Sequence, residues 1–338
     1  MTIMQNAVIH AEGHSRNSMF RVHSVHRHYP NYIGCELKRS FLQHGIDLNT
    51  PDISRGERAI FDLVCEGQTN LKLHSDRAFL LALENPYLNR LNRDHSYLNK
   101  FVKVFTWDTA NFSLPSAVKV PIPWSMSYEN TAAPGDRIFF SCIVNSNKNF
   151  KEFVQENLYS ERIKVIRFFE ENFPAEFNLY GFGWEKPPRY PGSFGHVRRQ
   201  VHRGWLAIQG KPAFPSYRGV VEDKLSAYEK HKFAFCYENV GGLDNYVTEK
   251  IFDALRAGCI PIYRGAKNIT DIVPADCFID ARKYANLESL YTQLKKLDDT
   301  DMLEYQRAGK LFLSRASNSL LDVRLFSEHV ASIVLVNL

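Results

Sequence analysis

The chain has no apolar run long enough to cross a bilayer, and its first seventeen residues read as polar and His-rich, with no long apolar run. A spanning helix needs about 20 consecutive apolar residues and a secretory leader an apolar core of about 7–15. Neither is read here, and a cytoplasmic protein is expected. Cysteine is scarce at six in 338 residues, without framework spacing. Cys142, Cys236, Cys259 and Cys277 sit inside apolar runs, which suits small buried hydrophobes in a reducing compartment and excludes a disulfide scaffold. Internal repeats and low-complexity tracts are absent, which excludes the stacked-repeat architectures.

Acidic residues are missing from one stretch. Between Lys186 and Arg218 lie Arg189, Arg198, Arg199, Arg203 and Lys211 without an Asp or Glu among them. Such a run reads either as a solvated loop or as a basic rim for an acidic glycan, a lipid headgroup or a diphosphate, so peripheral membrane contact through 186–218 is one expectation. Over the whole chain the net charge is only +5. That leaves room for an anionic ligand without demanding nucleic acid, and no nucleic-acid recognition motif or interleaved stacking platform accompanies the basic run. At 44% hydrophobic and 23% charged residues, 338 residues suffice for two globular domains of ordinary size.

What is present is concentrated between Phe233 and Gly265. Residues 233–237 form a short, aromatic-rich apolar run, as a fully buried strand should, and 240–245 carry turn chemistry. Thr248 stands where an N-cap belongs. Ile251, Phe252, Ala254 and Leu255 recur at helical spacing, and Gly258 occupies the place of a left-handed C-terminal cap. Residues 259–263 then return as a second buried strand. Parallel crossovers of this kind gather ligands at the carboxyl ends of the strands, beside a helix N-terminus whose free N–H groups and dipole favour anions. Glu249, in the first turn, complements that dipole by about 0.3–1 kcal/mol. Lys250 opposes it, and a bound phosphate would reverse the sign of the interaction. Lys250 is therefore a candidate phosphate ligand, set against a solvated surface lysine.

Strand and helix patterns alternate through much of the chain. The expectation is an opening strand over 19–25, a helix over 31–43 closed by Gly45, strand or helix pieces at 60–64 and 77–83, and a strand over 103–107. Residues 109–134, with Pro115, Pro121, Pro123 and Pro134, read as a linker. Beyond it come a strand over 137–144, a helix over 159–172, a strand over 178–180 and the crossover. An amphipathic helix within 320–338 closes its own domain or crosses back to the first. This order is α/β and implies a mostly parallel sheet in the second half. The expected division is a first domain over 18–134, a second over 135–320 and a final helix over 321–338.

The ordered run Tyr237-Glu238-Asn239, Tyr246-Val247-Thr248-Glu249-Lys250 and Ala257-Gly258-Cys259-Ile260-Pro261-Ile262-Tyr263 closely resembles the donor-binding signature of the α-1,3/1,4-fucosyltransferases. These are the inverting, GDP-fucose-dependent glycosyltransferases of family 10. Tyr217-Arg218-Gly219-Val220-Val221-Glu222-Asp223-Lys224 looks like the short element that precedes the signature, and Ser146-Asn147 with Arg162 matches the family's Ser-Asn and downstream arginine. The resemblance covers residues 104–279 and is weaker before them. It implies a GT-B-like α/β fold, two Rossmann-like domains with mostly parallel sheets facing one cleft, the acceptor held by the N-terminal domain and the sugar nucleotide by the C-terminal one.

The resemblance also implies roles. Glu84, in Leu83-Glu84-Asn85-Pro86, matches the family's E-x-P element, whose glutamate is taken as the general base. Arg162 would grip two phosphate oxygens of the donor with its planar guanidinium while Lys250 neutralises charge. Glu249 would accept hydrogen bonds from ribose or fucose hydroxyls, Tyr246 and Asn239 would contact sugar or base, and Lys224 completes the donor set. Each has a structural alternative: a capping glutamate for Glu84, a surface helix arginine for Arg162, packing or turn residues for Tyr246 and Asn239, a loop lysine for Lys224.

The partners implied are GDP-fucose and a glycan acceptor, with O3 of an N-acetylglucosamine or glucose unit in surface polysaccharide as the expected nucleophile. Animal and plant members carry an N-terminal membrane helix, so the resemblance points to a bacterial or viral soluble type. No obligatory cofactor or metal is expected, although a divalent cation is left open. Asp299-Thr300-Asp301 spells a metal-binding Asp-x-Asp but reads as a solvated loop, and His23, His26 and His28 lack partners to complete a zinc site. His231 stands where a tyrosine is common, and Arg264 where a tryptophan often stands. Both are expected near the donor pocket, and they keep open another sugar nucleotide or an inactive nucleotide- or glycan-binding module.

Overall fold

The computed structural model describes residues 4–21, 29–54, 58–130 and 132–338. The chain divides into two compact units, one of residues 1–126, 244–246 and 316–338, the other of 127–243 and 247–315. The expected linker over 109–134 is therefore split. Its first part contributes a strand to the first unit, and the division falls between Met126 and Ser127.

In the first unit, β1 (Gln5–Ala11), α1 (Tyr29–Leu42), β2 (Ile46–Asn49), β3 (Asp62–Cys65), β4 (Ala78–Ala82), α2 (His95–Leu98), β5 (Lys103–Thr106) and β6 (Ala117–Lys119) follow one another. The strands form one sheet in the order β2-β1-β3-β4-β5-β6, every neighbouring pair parallel. All five residues of β4 are buried, as a central parallel strand covered on both faces requires. Val64, Ala78, Leu80, Ala82 and Val104 share one face by the two-residue period and pack under Tyr97, Leu98 and Phe101. Gly45, with φ +73, makes the left-handed turn that releases the chain from α1 into β2.

The opening strand lies over residues 5–11, not 19–25. Residues 18–20 form a 3-10 turn, and 22–25 lie outside the described residues, as do His23, His26 and His28. β1 is hard to read because Asn6 and His10 interrupt its apolar pattern, leaving Ala7, Val8 and Ile9 as its longest apolar run.

The second unit runs β7 (Phe139–Val144), α3 (Leu158–Asn172), β8 (Phe177–Tyr180), α4 (Gly195–Ile208), α5 (Lys224–Glu229), β9 (His231–Tyr237), α6 (Glu249–Arg256), β10 (Ile260–Arg264), β11 (Ile279–Asp280), α7 (Leu287–Leu294) and α8 (Asp299–Ala316). Its sheet has the order β11-β10-β9-β7-β8 and is again parallel throughout. Gly258 has φ +60, and a Cβ there would stand 2.6 Å from the Asn130 side chain, so the cap position excludes other residues twice over. Asp299 to Asp301 are the first turn of α8 and not a loop. The Asp298 carboxylate accepts from the N–H groups of Thr300 and Asp301, so the acidic run caps a helix. The last helix, α9 (Val323–Leu335), returns to the first unit, where it packs on α1 and is tied by the exchange of Trp124 N–H to Leu321 O and Val323 N–H to Trp124 O. Among the described residues no helix is long and apolar enough to cross a membrane.

Candidate active site

In the second sheet the chain leaves β7 toward β8 on one side and β9 toward β10 on the other, so the winding reverses between β7 and β9. Open parallel sheets bind ligands outside the carboxyl ends of the strands at this point. Two loops converge there, residues 145–157 after β7 and 238–248 after β9. Arg162, from the first turns of α3, is almost wholly buried at 2% exposure, and its guanidinium lies 4.8 Å from the Tyr159 ring centroid. Its Nε and Nη2 donate to Tyr237 O at 3.2 and 2.6 Å, and Nη2 also donates to Asn239 Oδ1 at 3.1 Å. Arg162 and Asn239, chosen from distant parts of the sequence, are thus one unit of structure.

Beside them lies a charged network. Glu238 is fully buried immediately after β9 and accepts from Thr248 N–H at 2.8 Å, Thr248 Oγ1 at 2.7 Å and Lys250 Nζ at 3.1 Å. Thr248 occupies the N-cap position of α6, but its hydroxyl is spent on Glu238 instead of capping the helix. Lys250 also lies 3.5 Å from Glu249, which lies 3.9 Å from Lys224, and Lys224 reaches Asp253 at 3.5 Å. Burial works against the Glu249 carboxylate, but Lys250 and Lys224 outweigh it and hold its pKa down at about 2. Burial likewise works against the Lys250 ammonium, Glu238 and Glu249 more than compensate, and the Arg162 charge opposes it. The anion that the helix dipole asks for beside Lys250 is supplied by the protein as Glu238, a residue whose role could not be read from the sequence because its burial could not.

Glu84 and Tyr246 meet in the first unit, to which residues 244–246 belong. Glu84 follows β4, half-buried, and its Oε1 accepts from Asn85 N–H at 2.8 Å, Asn85 Nδ2 at 2.7 Å and the Tyr246 hydroxyl at 3.2 Å. Asn85 Nδ2 donates in turn to the Tyr246 hydroxyl at 2.9 Å. Trp107 packs on the Tyr246 ring at 4.9 Å and donates its Nε1–H to Leu83 O at 2.6 Å. Asn245, at φ +63, donates to Trp107 O. Glu66, just after β3 and also at positive φ (+64), accepts from Glu84 N–H at 2.9 Å, Leu83 N–H at 3.2 Å and the Asn92 amide. Burial, with the nearby Glu84 charge adding to it, pushes the Glu66 pKa up to about 7. Asn85 is the middle residue of the E-x-P element and Trp107 ends the family-like stretch 104–107, but neither carries a role in the sequence reading, and nothing in the sequence points to Glu66.

Two expectations change. His231 begins β9, at the opposite end of a seven-residue strand from Glu238, about 20 Å at ordinary strand rise. It is a core residue: fully buried, stacked on Phe139, with Nδ1 at 2.7 Å from Ala227 O, and burial lowers its pKa to about 4. It therefore has no place near the donor pocket. Arg264 does end at the carboxyl edge of β10, where it pairs with Glu161 at 3.1 Å. The basic run is not a loop throughout, since α4 occupies 195–208 within it.

Residues 210–309 match the family model described as glycosyltransferase family 10 (fucosyltransferase) C-term. An α-(1,4)-fucosyltransferase of Arabidopsis thaliana is 41% identical over 73 residues, 22% of this chain and 18% of the plant protein. Human GDP-fucose protein O-fucosyltransferase 3 is 32% identical over 75 residues, 22% of this chain and 15% of the human protein. The chain thus matches less than a fifth of the length of these curated relatives. In fold, the crystal structure of an α1,3-fucosyltransferase aligns with 91% of this chain and 82% of its own at a TM-score of 0.51 and 14% identity. With two parallel α/β sheets, the architecture is that of the GT-B glycosyltransferases. Residues 210–309 of the second unit thus resemble the C-terminal domain of the glycosyltransferase family 10 fucosyltransferases.

Proposed function

We propose that the protein transfers L-fucose from GDP-fucose to a hydroxyl of a glycan acceptor, with inversion. The observation that carries this reading is the gathering of Arg162, Asn239, Glu249, Lys250 and Lys224 around the carboxyl ends of β7 and β9, in the unit that carries the family match. Glu84 takes the proton of the acceptor hydroxyl, the hydroxyl oxygen bonds to C1 of fucose, and the bond from C1 to the phosphate oxygen breaks. The departing GDP gains negative charge, which Arg162 and Lys250 meet without a required metal. Tyr246, hydrogen-bonded to Glu84, lies four residues before Lys250 in the chain. Buried free thiols favour a reducing compartment, and the cytoplasm is the setting this reading adopts.

The test is transfer to a panel of β-linked N-acetylglucosamine and glucose acceptors from radiolabelled GDP-fucose, UDP-glucose and UDP-galactose. Turnover with GDP-fucose alone, lost in Glu84→Gln while GDP still binds, is expected. Equal turnover with a UDP sugar overturns the donor; activity in Glu84→Gln overturns the base.

We further propose that α4 rests on an anionic membrane surface. Phe194, Val197, Val201, Trp205 and Ile208 recur every three or four residues and are 81, 56, 68, 53 and 89% exposed. Arg198 flanks this stripe, and every charged residue of α4 is basic. Apolar side chains aligned with cations match the acyl boundary and anionic headgroups of one leaflet. Co-sedimentation with phosphatidylglycerol vesicles, absent with phosphatidylcholine and abolished by Val201→Asp with Ile208→Asp, is expected. Binding unaffected by those changes overturns it, as does self-association that they abolish in the absence of lipid.

A further inference from the structure

On the face of the first sheet that carries Val64 and Leu80, the apolar pattern is broken by His10 of β1 and Asp62 of β3. The segment between β3 and β4 brings His74 against both. Asp62 is fully buried and His10 nearly so. One carboxylate oxygen, Oδ2, accepts from the N–H groups of His74 at 2.8 Å and Ser75 at 2.7 Å. The other, Oδ1, faces two imidazoles, His10 Nε2 at 2.6 Å and His74 Nδ1 at 3.6 Å. The rings stand 5.6 Å apart, and the three ligand atoms all lie within 4.8 Å of one another.

His74 Nδ1 is buried without a hydrogen-bond partner. Carrying a proton, it is too far from Asp62 Oδ1 to donate; bare, it turns a lone pair toward a carboxylate. Neither arrangement satisfies it, and burying such a group costs free energy without return. A cation between the three atoms would satisfy all of them at once.

We propose that His10, Asp62 and His74 bind a divalent first-row transition ion, for which zinc is the probe. Two imidazoles and a carboxylate form a donor set that suits zinc, and tetrahedral zinc holds such ligand atoms about 3.3 Å apart. The 2.6 Å contact opens and the longer ones close as the ion enters. The His74 side chain, 26% exposed, is the least buried of the three. The site ties down the end of a segment whose beginning, Glu66, holds the backbone of Glu84. It draws on three residues outside the proposed transfer chemistry and stands independently of it.

The full chain, dialysed against zinc and freed of excess by gel filtration, should carry one zinc per chain by plasma emission. His74→Ala keeps the backbone bonds to Asp62, so it folds and should lose the ion. Loss of an outer hydrogen-bond partner typically costs about 10–100-fold in metal affinity, and loss of a ligand should cost about 100-fold or more in a chelator competition. Asp62→Asn should match it, with circular dichroism reporting its folding. A variant with His23, His26 and His28 changed to Ala should keep its zinc. Wild type without zinc, equal affinity in His74→Ala, or zinc lost from the triple-histidine variant overturns the proposal.

Discussion

The two units share one plan and differ in how they hold a carboxylate. Their sheets read β2-β1-β3-β4-β5-β6 and β8-β7-β9-β10-β11, so each reverses its winding beside its first strand. In each, the strand across that reversal is followed at once by a glutamate that clamps a neighbouring loop. Glu66 follows β3 and binds the backbone of Leu83 and Glu84; Glu238 follows β9 and binds the backbone and hydroxyl of Thr248. Glu238 has a cation, Lys250, at 3.1 Å, whereas the donors that reach Glu66 are neutral N–H groups. One clamp works as half of a buried ion pair, and the other works near the boundary between its charged and neutral forms.

Breaking the ion pair should have the largest effect. Glu238→Ala leaves Lys250 buried against a weaker partner, and removing one member of a buried pair typically costs about 3–5 kcal/mol. Denaturant unfolding should show a loss of that size, and Glu238→Leu combined with Lys250→Met should recover most of it. A single variant within about 1 kcal/mol of wild type would mean that Glu238 is not the clamp.

Glu66 should respond to pH instead. Its folded-state pKa, about 7, lies above the ordinary 4.5, so the fold favours its protonated form. That contribution is fully present below about pH 4.5 and is lost as pH rises through 7. Glu66→Gln keeps an oxygen for Leu83 and Glu84 without ever ionising. The variant should gain on wild type between pH 4.5 and 7 and exceed it above pH 7 by about 1–3 kcal/mol. A stability difference that stays flat with pH would separate Glu66 from this role.

The second unit was the legible one. In 233–265 the period, the turn chemistry, Gly258 and the ordered motif all agree, and they belong to one contiguous segment. The first unit brings together residues far apart in the chain, which no local pattern announces. Tyr246 reaches Glu84 across 162 positions, and Glu66 reaches Glu84 across 18. β1 was missed because two polar residues interrupt it, and both are used: Asn6 accepts from Ser54, His10 meets Asp62. The charge of Lys250 is anomalous for a helix start on sequence alone. The buried anion beside it was invisible because Glu238 looks like any other strand-end glutamate until its burial is known.

The smallest effect should come from Tyr246, and it discriminates best between the units. The resemblance groups this tyrosine with the donor, while its hydroxyl donates to Glu84 in the first unit. Tyr246→Phe removes one donor from that carboxylate and costs about 1 kcal/mol of stability. A carboxylate that loses a donor holds its proton more readily, so under the proposed function the acidic limb of the transfer rate should move to higher pH, with KM for GDP-fucose unchanged. An unmoved pH limb with a raised KM for GDP-fucose would instead return Tyr246 to the donor. Residues 244–246 would then serve the first unit only as packing against Trp107.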